Sequence, residues 1–286
     1  MTDPNVGAVL AQYNLATAKS LGQNFLRDGN VLQKIADAAC PAARILEIGA
    51  GIGSLTSLLC EGAGEVVTVE IDRKLEPLLS AEVPHENHRF LWQDILKTDL
   101  STVFEETYTV VGNLPYYITT EILMQLYEHI DCWDHAVLMV QREVAERLLA
   151  GPGSKEYRAA SVITGSLCDG ELLFEVPPHC FYPPPHVHSA VLRLTPKKER
   201  PEAISFIAFA KAAFAARRKK MTSSAALQQL LHIDKNGLLS LLSEAGLPTD
   251  SRAETFNPAD FCKLYKLAQR KKDIFLNFSK NRDCKG

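Results

Sequence analysis

The segment Asn113-Leu114-Pro115-Tyr116-Tyr117 follows the apolar run Val110-Val111-Gly112 and holds the residue types best suited to chemistry. Proline fixes its own φ, offers no N–H and disfavours the α region for Leu114, so the Leu114 carbonyl is held in an extended geometry. That carbonyl and the Asn113 side-chain oxygen make two acceptors side by side. They match the two hydrogens of an exocyclic amino group, and accepting both favours a pyramidal nitrogen whose lone pair can point at a methyl donor. Tyr116 adds an aromatic face on which an extruded base can stack.

Other segments must position this motif. Glu47-Ile48-Gly49-Ala50-Gly51-Ile52-Gly53-Ser54-Leu55-Thr56 reads as a strand end, a glycine turn and a helix start. Glycines let the backbone approach a ligand closely, yet tight turns use glycine on steric grounds alone, so Gly-x-Gly-x-Gly does not decide by itself. Glu70, in Val69-Glu70-Ile71-Asp72, lies 17 residues after Gly53, where a ribose diol would sit across the crevice of an open α/β sheet. A third strand ends in Gln93-Asp94-Ile95-Leu96, so with Glu47 an acid is expected at the crevice edge from each of three successive strands. Glu70 can accept from both ribose hydroxyls and Asp94 from an adenine amino group. These features leave NAD and S-adenosylmethionine both open, and the Asn-Leu-Pro-Tyr motif selects S-adenosylmethionine.

The 286 residues predict about two domains, and a 46% apolar, 23% charged composition is that of a soluble, well-cored protein. No stretch is long and apolar enough to span a bilayer, and no basic residue precedes Lys19, so membrane and secreted classes are set aside. Seven scattered cysteines without a Cys-x-x-Cys pair point to reduced thiols in a cytoplasmic protein and to no metal site. The net charge of −3 conceals an asymmetry. Residues 1–189 hold 12 Lys and Arg against 25 Asp and Glu, whereas residues 190–286 hold 19 against 9. A basic final third is suited to a polyanion, with Arg217, Arg218, Lys219 and Lys220 the first candidates for phosphate contacts.

Strands are expected at 43–48, 65–71, 88–92, 108–111 and 135–140, alternating with helices as in a doubly wound parallel sheet. Two further strands, 172–176 and 190–194, flank a proline-rich loop and would close the sheet as a hairpin-like edge. Helices are expected at 203–218, 223–231, 237–245 and 258–270. The first twenty residues, with few apolar anchors, read as loose, and the polar stretch 280–286 as frayed.

The sequence resembles the S-adenosylmethionine-dependent rRNA adenine N6-methyltransferases, above all the KsgA family of small-subunit rRNA adenine dimethyltransferases. Nearly the whole chain carries the likeness: Gln23-Asn24-Phe25-Leu26, the glycine turn, Glu70, Gln93-Asp94, Asn113 to Tyr116, Gln141 to Ala145, Pro152 to Lys155, Phe181 to Val191, and Ala213-Phe214 with Arg217-Arg218-Lys219. The resemblance implies an α/β, Rossmann-like class I S-adenosylmethionine-dependent methyltransferase fold at 1–197 and a small all-helical RNA-binding domain at 198–286. It implies that Asn24 and Leu26 close over the cofactor, with Gly49, Gly51, Glu70, Asp94 and Asn113 completing its site. It implies a catalytic set of Asn113, Leu114, Pro115, Tyr116 and Phe181, with Phe181 stacking on the target base opposite Tyr116. The sequence departs from the family at His186 and His188, where Lys and Asp are usual, at Arg158-Ala159 and at Ala216.

The implied reaction is dimethylation of N6 on two adjacent adenosines in the 3′-terminal hairpin loop of 16S rRNA, within the small ribosomal subunit or its precursor. Two other readings share the motif: a large-subunit rRNA adenine methyltransferase conferring macrolide resistance, and a non-catalytic ribosome-assembly or transcription factor on the same fold.

Overall fold

The computed structural model describes residues 5–18, 22–216 and 219–270. The described residues form two compact units, one within 1–145 and 171–196, the other within 146–170 and 197–270. The chain thus crosses between them three times, and the last crossing lies one residue from the boundary expected at 197.

In the first unit, α1 (Val6–Gln12) precedes β1 (Phe25–Leu26), α2 (Gly29–Ala39), β2 (Ala42–Ile48), α3 (Ser54–Gly62), β3 (Ala63–Glu70), α4 (Glu76–Glu82), β4 (His88–Trp92), β5 (Tyr108–Asn113), α5 (Thr119–Glu128) and β6 (Trp133–Gln141). Next come α6 (Arg142–Leu148) and α7 (Ala159–Leu167), then β7 (Cys168–Val176), β8 (Phe181–Tyr182) and β9 (Ser189–Pro196). Seven strands form one sheet in the order β4-β3-β2-β5-β6-β9-β7. The first five run parallel, and β9 pairs antiparallel with β6. All seven expected sheet strands are present, with β7 and β9 side by side at the sheet edge as proposed. The central strands are buried along most of their length, as covered parallel sheets require, which is why β5 reads Tyr-Thr-Val-Val rather than alternating.

From β2 the chain winds outward through β3 and β4, then returns to β5 on the other side of β2. The carboxyl ends of β2 and β5 therefore flank the point where strand order reverses, where open α/β sheets leave a crevice.

The first twenty residues are not loose throughout. Asn5 caps α1 by accepting from the Ala8 N–H, and Val6 and Leu10, 1% and 4% exposed, enter the core. Two apolar residues at i and i+4 suffice for one short helix face. The short pair β1–β8, antiparallel with Leu26 opposite Phe181, was also not foreseen. Two-residue strands carry no periodicity to detect.

The second unit is built from α7 with α8 (Ala203–Phe214), α9 (Ala225–Leu231), α10 (Lys235–Glu244) and α11 (Pro258–Arg270). Glu202, Ser224 and Asp234 cap α8, α9 and α10 through their side-chain oxygens. Its core is aromatic: Phe206 meets Tyr265 edge-on at 5.3 Å, and Phe261 meets Phe209 edge-on and stacks on Phe214. The helix expected to run to residue 218 stops at Phe214, and beyond it the Lys219 N–H donates to the Ala216 carbonyl. Arg217 and Arg218 lie outside the described residues, while Lys219 and Lys220 are exposed and off the helix. The 280–286 stretch also lies outside the described residues. Among the described residues no helix is long and apolar enough to cross a membrane.

Candidate active site

A cavity of about 240 Å³ opens at the carboxyl edge of the sheet. Ten residues nominated from sequence line it: Asn24, Leu26, Gly49, Gly51, Glu70, Asp94, Asn113, Leu114, Pro115 and Tyr116. They come from β1, the glycine turn, the ends of β3 and β5, and the loops after β4 and β5.

The glycine turn has the left-handed geometry glycine alone adopts cheaply, with φ of 81° at Gly49 and 58° at Gly51. A Cβ on Gly49 would meet no heavy atom within 4 Å, so the turn leaves its backbone open toward the cavity. A Cβ on Gly51 would stand 3.2 Å from the Phe25 ring, so this glycine lets the amino-terminal segment lie close.

Glu70 is 7% exposed, and each of its oxygens accepts a backbone N–H: Oε2 from Ala50 at 3.0 Å and Oε1 from Asp72 at 2.8 Å. Burial pushes its pKa up while these bonds hold it down. The Gly51 N–H also lowers it, and since a carboxylate has about four lone-pair sites, Glu70 still keeps capacity for a ligand. Asp94 Oδ1 caps the turn at 95–97 by accepting from the Leu96 N–H at 3.0 Å, and Oδ2 takes no donor among the described residues. Gln125 ties this loop down from α5, donating to the carbonyls of Ile95 and Thr98 at 2.9 and 2.8 Å.

Glu47, expected as a third acid at the edge, is instead fully buried and does not line the cavity. Its Oε2 accepts from the Thr56 and Thr68 hydroxyls at 2.7 and 2.8 Å, beneath the turn, and burial raises its pKa to about 7. Side chains alternate along a strand, which turns this acid away from the crevice.

The Asn113 amide donates to the Asn24 carbonyl at 3.2 Å, which fixes Oδ1 as the atom available to accept. The Leu114 N–H donates to the Met139 carbonyl at 3.0 Å, fixing the next peptide as well. The Tyr116 hydroxyl lies 2.6 Å from Ser189 Oγ, which anchors the ring by its far end, and burial raises its pKa. Ser189 was missed because the bond spans 73 residues and only tertiary structure creates it. Gln23 was quoted in a motif without a role. It accepts from the Ala18 N–H and donates to Asp72 at 2.9 Å, tying the amino-terminal segment to the end of β3.

Phe181 stands apart from this set. It is 1% exposed, does not line the cavity and belongs to the core cluster with Leu26 and Val191, so the ring expected to stack on a base is covered by protein here. The departures at 186 and 188 are solvent-exposed histidines. The His188 carbonyl still accepts from the Arg142 N–H at 3.0 Å, keeping the backbone tied beside Ser189. In the second unit, beside the departure at Arg158-Ala159, the Ser161 hydroxyl accepts from the Arg158 N–H and donates to the Arg147 carbonyl.

Sheet order, glycine turn, edge acids and the Asn113-Leu114-Pro115-Tyr116 motif together define a class I S-adenosylmethionine-dependent methyltransferase. A sequence model of the ribosomal RNA adenine dimethylase family matches residues 14–270, and the chain belongs to that family, as an rRNA adenine methyltransferase using S-adenosylmethionine. It is 38% identical over 276 residues to the ribosomal RNA small subunit methyltransferase A of Lachnoclostridium phytofermentans, covering 92% of this chain and 95% of that one. The protein of the same description from Ligilactobacillus salivarius is 40% identical over 273 residues, covering 90% and 92%. Among solved structures, a dimethyladenosine transferase from Plasmodium falciparum superposes with a TM-score of 0.77 at 25% identity, covering 88% of this chain and 100% of that one. The 23S rRNA methyltransferase ErmE superposes with a TM-score of 0.65 at 26% identity, covering 86% and 100%.

Proposed function

We propose that this enzyme dimethylates N6 of two adjacent adenosines in the 3′-terminal hairpin loop of 16S rRNA, in the cytoplasm, on the small ribosomal subunit or its precursor. The observation that carries the residue assignment is the Asn113 amide, held by the Asn24 carbonyl so that its oxygen faces the work of accepting.

Bound S-adenosylmethionine supplies a methyl group on a positively charged sulfur. The spare lone pairs of Glu70 accept from its ribose hydroxyls, and Asp94 Oδ2 accepts from its adenine amino group. Gly49 leaves room for close approach, and Asn24 and Leu26 cover the site from the amino-terminal side. Asn113 Oδ1 and the Leu114 carbonyl accept the two N6 hydrogens and aim the nitrogen lone pair, while Pro115 holds the peptide extended and Tyr116 stacks on the base. Catalysis is orientation and electrostatics, with the methylated nitrogen losing its proton to water. After one transfer a single N6 hydrogen remains, so one acceptor is enough for the second. Unpaired loop bases are cheap to draw into such a site. Lys219 and Lys220, with Arg217 and Arg218, contact phosphates. The core position of Phe181 supports a packing role for this ring, backing Leu26 through β1–β8, in place of base stacking.

Labelled methyl transfer to small ribosomal particles lacking the modification, with naked large-subunit rRNA in parallel and nucleoside mass spectrometry, tests this. Dimethyladenosine from the small particle is expected. Product only from large-subunit rRNA would move the activity to the other subunit, and tight particle binding without product would make the protein an assembly factor.

A further inference from the structure

Beside Tyr116, whose hydroxyl is tied to Ser189, stands a second aromatic with a different environment. Tyr117 lines the same cavity yet is 53% exposed, the most exposed large apolar or aromatic side chain among the described residues. Its hydroxyl has no hydrogen-bond partner among the described residues, so nothing polar accounts for its position. What does account for it is backbone: a Cβ on Gly22 would stand 3.2 Å from the Tyr117 ring. Gly22 has a φ of 60°, and its carbonyl accepts from the Asn24 amide at 3.0 Å, so the backbone under the ring is itself fixed. One edge of the ring is thereby supported while about half of the side chain faces solvent at the cavity mouth.

A rigidly backed, solvent-facing aromatic next to a base-accepting motif has the properties of a stacking platform for single-stranded nucleic acid. Ile71 and Leu96, also exposed, lie with Glu70 and Asp94 on the side assigned to the cofactor, which leaves Tyr117 as the exposed ring adjoining Tyr116. We propose that Tyr117 stacks on the unpaired base that flanks the target adenosine, holding the neighbour outside the cavity while N6 of the target is presented to Asn113 and Leu114. The inference rests on the base-site reading of Asn113 to Tyr116. It adds a specificity element: in a pair of adjacent adenosines the platform grips one while the other reacts, which registers the RNA by one nucleotide.

Tyr117→Leu and Tyr117→Phe are compared in small particles lacking the modification. Stacking is sequence-tolerant and needs only the ring, so the leucine variant is expected to lower kcat/KM by roughly 10-fold, and the phenylalanine variant to recover most of it. The Kd for S-adenosylmethionine, measured without RNA, stays at its wild-type value in both. In limited-turnover reactions the leucine variant yields a lower share of particles with both adenosines dimethylated. Unchanged kcat/KM in Tyr117→Leu, an equal loss in Tyr117→Phe, or a parallel weakening of S-adenosylmethionine binding would each overturn the proposal. If the wild-type chain itself makes no dimethyladenosine in the particle, the function reading has failed rather than this one.

Discussion

At the carboxyl edge of the sheet, polar atoms keep capacity in reserve. Glu70 spends part of its lone-pair capacity on backbone N–H groups, Asp94 one oxygen of two, and Asn113 its amide but not its carbonyl. In the interior of the helical unit, the tyrosine hydroxyls are spent on protein partners. The Tyr157 hydroxyl donates to the Phe256 carbonyl, the Tyr265 hydroxyl meets Ser205 and Gln269, and the phenylalanines between them pack edge to face. Both regions use aromatic rings and oriented hydrogen bonds. The difference lies in completion: satisfied groups hold a fold, and half-satisfied ones, fixed on one side by protein, hold a ligand.

Substitutions should separate the two. Asn113→Ala removes one of the two acceptors and is expected to cost roughly 10³-fold in kcat, with the thermal midpoint nearly unchanged. Persistence of methyl transfer would show that the reserve at this atom is unused. Phe209→Ala is the mirror experiment: a cavity in the aromatic core should cost about 3–5 kcal/mol of stability, read as faster hydrogen exchange in α8 and α11. Amides of β2 and β5 should keep their protection.

A third test bears on what lies beneath the edge. Thr68 Oγ1 is 2.8 Å from Glu47 Oε2 and 2.9 Å from His88 Nε2. Burial raises Glu47 from 4.5 to about 7, so its contribution is present at low pH and is lost as pH rises across that window, by roughly 3 kcal/mol at most. Burial and neighbouring His85 lower His88 from 6.5 to about 4, so its contribution has the opposite sign and grows as pH rises from 4 to 6.5. The two slopes oppose each other. Glu47→Gln should leave a stability that climbs between pH 4.5 and 6.5, and His88→Asn one that falls. Urea midpoints across this range decide, and equal slopes in both variants would disprove the pairing. The smallest effect is expected from Ser189→Ala, which frees the Tyr116 hydroxyl and should cost about 1 kcal/mol, or several-fold in kcat/KM, with S-adenosylmethionine binding unchanged.

The elements with long, uniform patterns were legible from sequence. Buried parallel strands such as β2 and β5 centre on the apolar pairs Ile45-Leu46 and Val110-Val111, and α11 is a strongly amphipathic helix whose expected start matches the observed one. Local chemistry was legible too, since proline and glycine act on their own neighbours. What escaped was whatever depends on distant partners: the direction of Glu47, the burial of Phe181 beside Leu26, the Ser189 anchor, and the Gln125 tie to the Asp94 loop. A carboxylate at a strand end looks the same in sequence whether it faces a ligand or a buried threonine. The end of α8 was misjudged because Ala215 and Ala216 are good helix formers.

The three crossings of the chain have a consequence for synthesis and for recombination. Helix α7, with Val162, Ile163 and Leu167 buried, packs on α8 and α11, yet α11 begins at Pro258. A nascent chain therefore carries this apolar helix without α11 while some ninety further residues are translated. No contiguous stretch of gene encodes the helical unit, and a stop codon after Pro196 would deliver α7 with its apolar face bare.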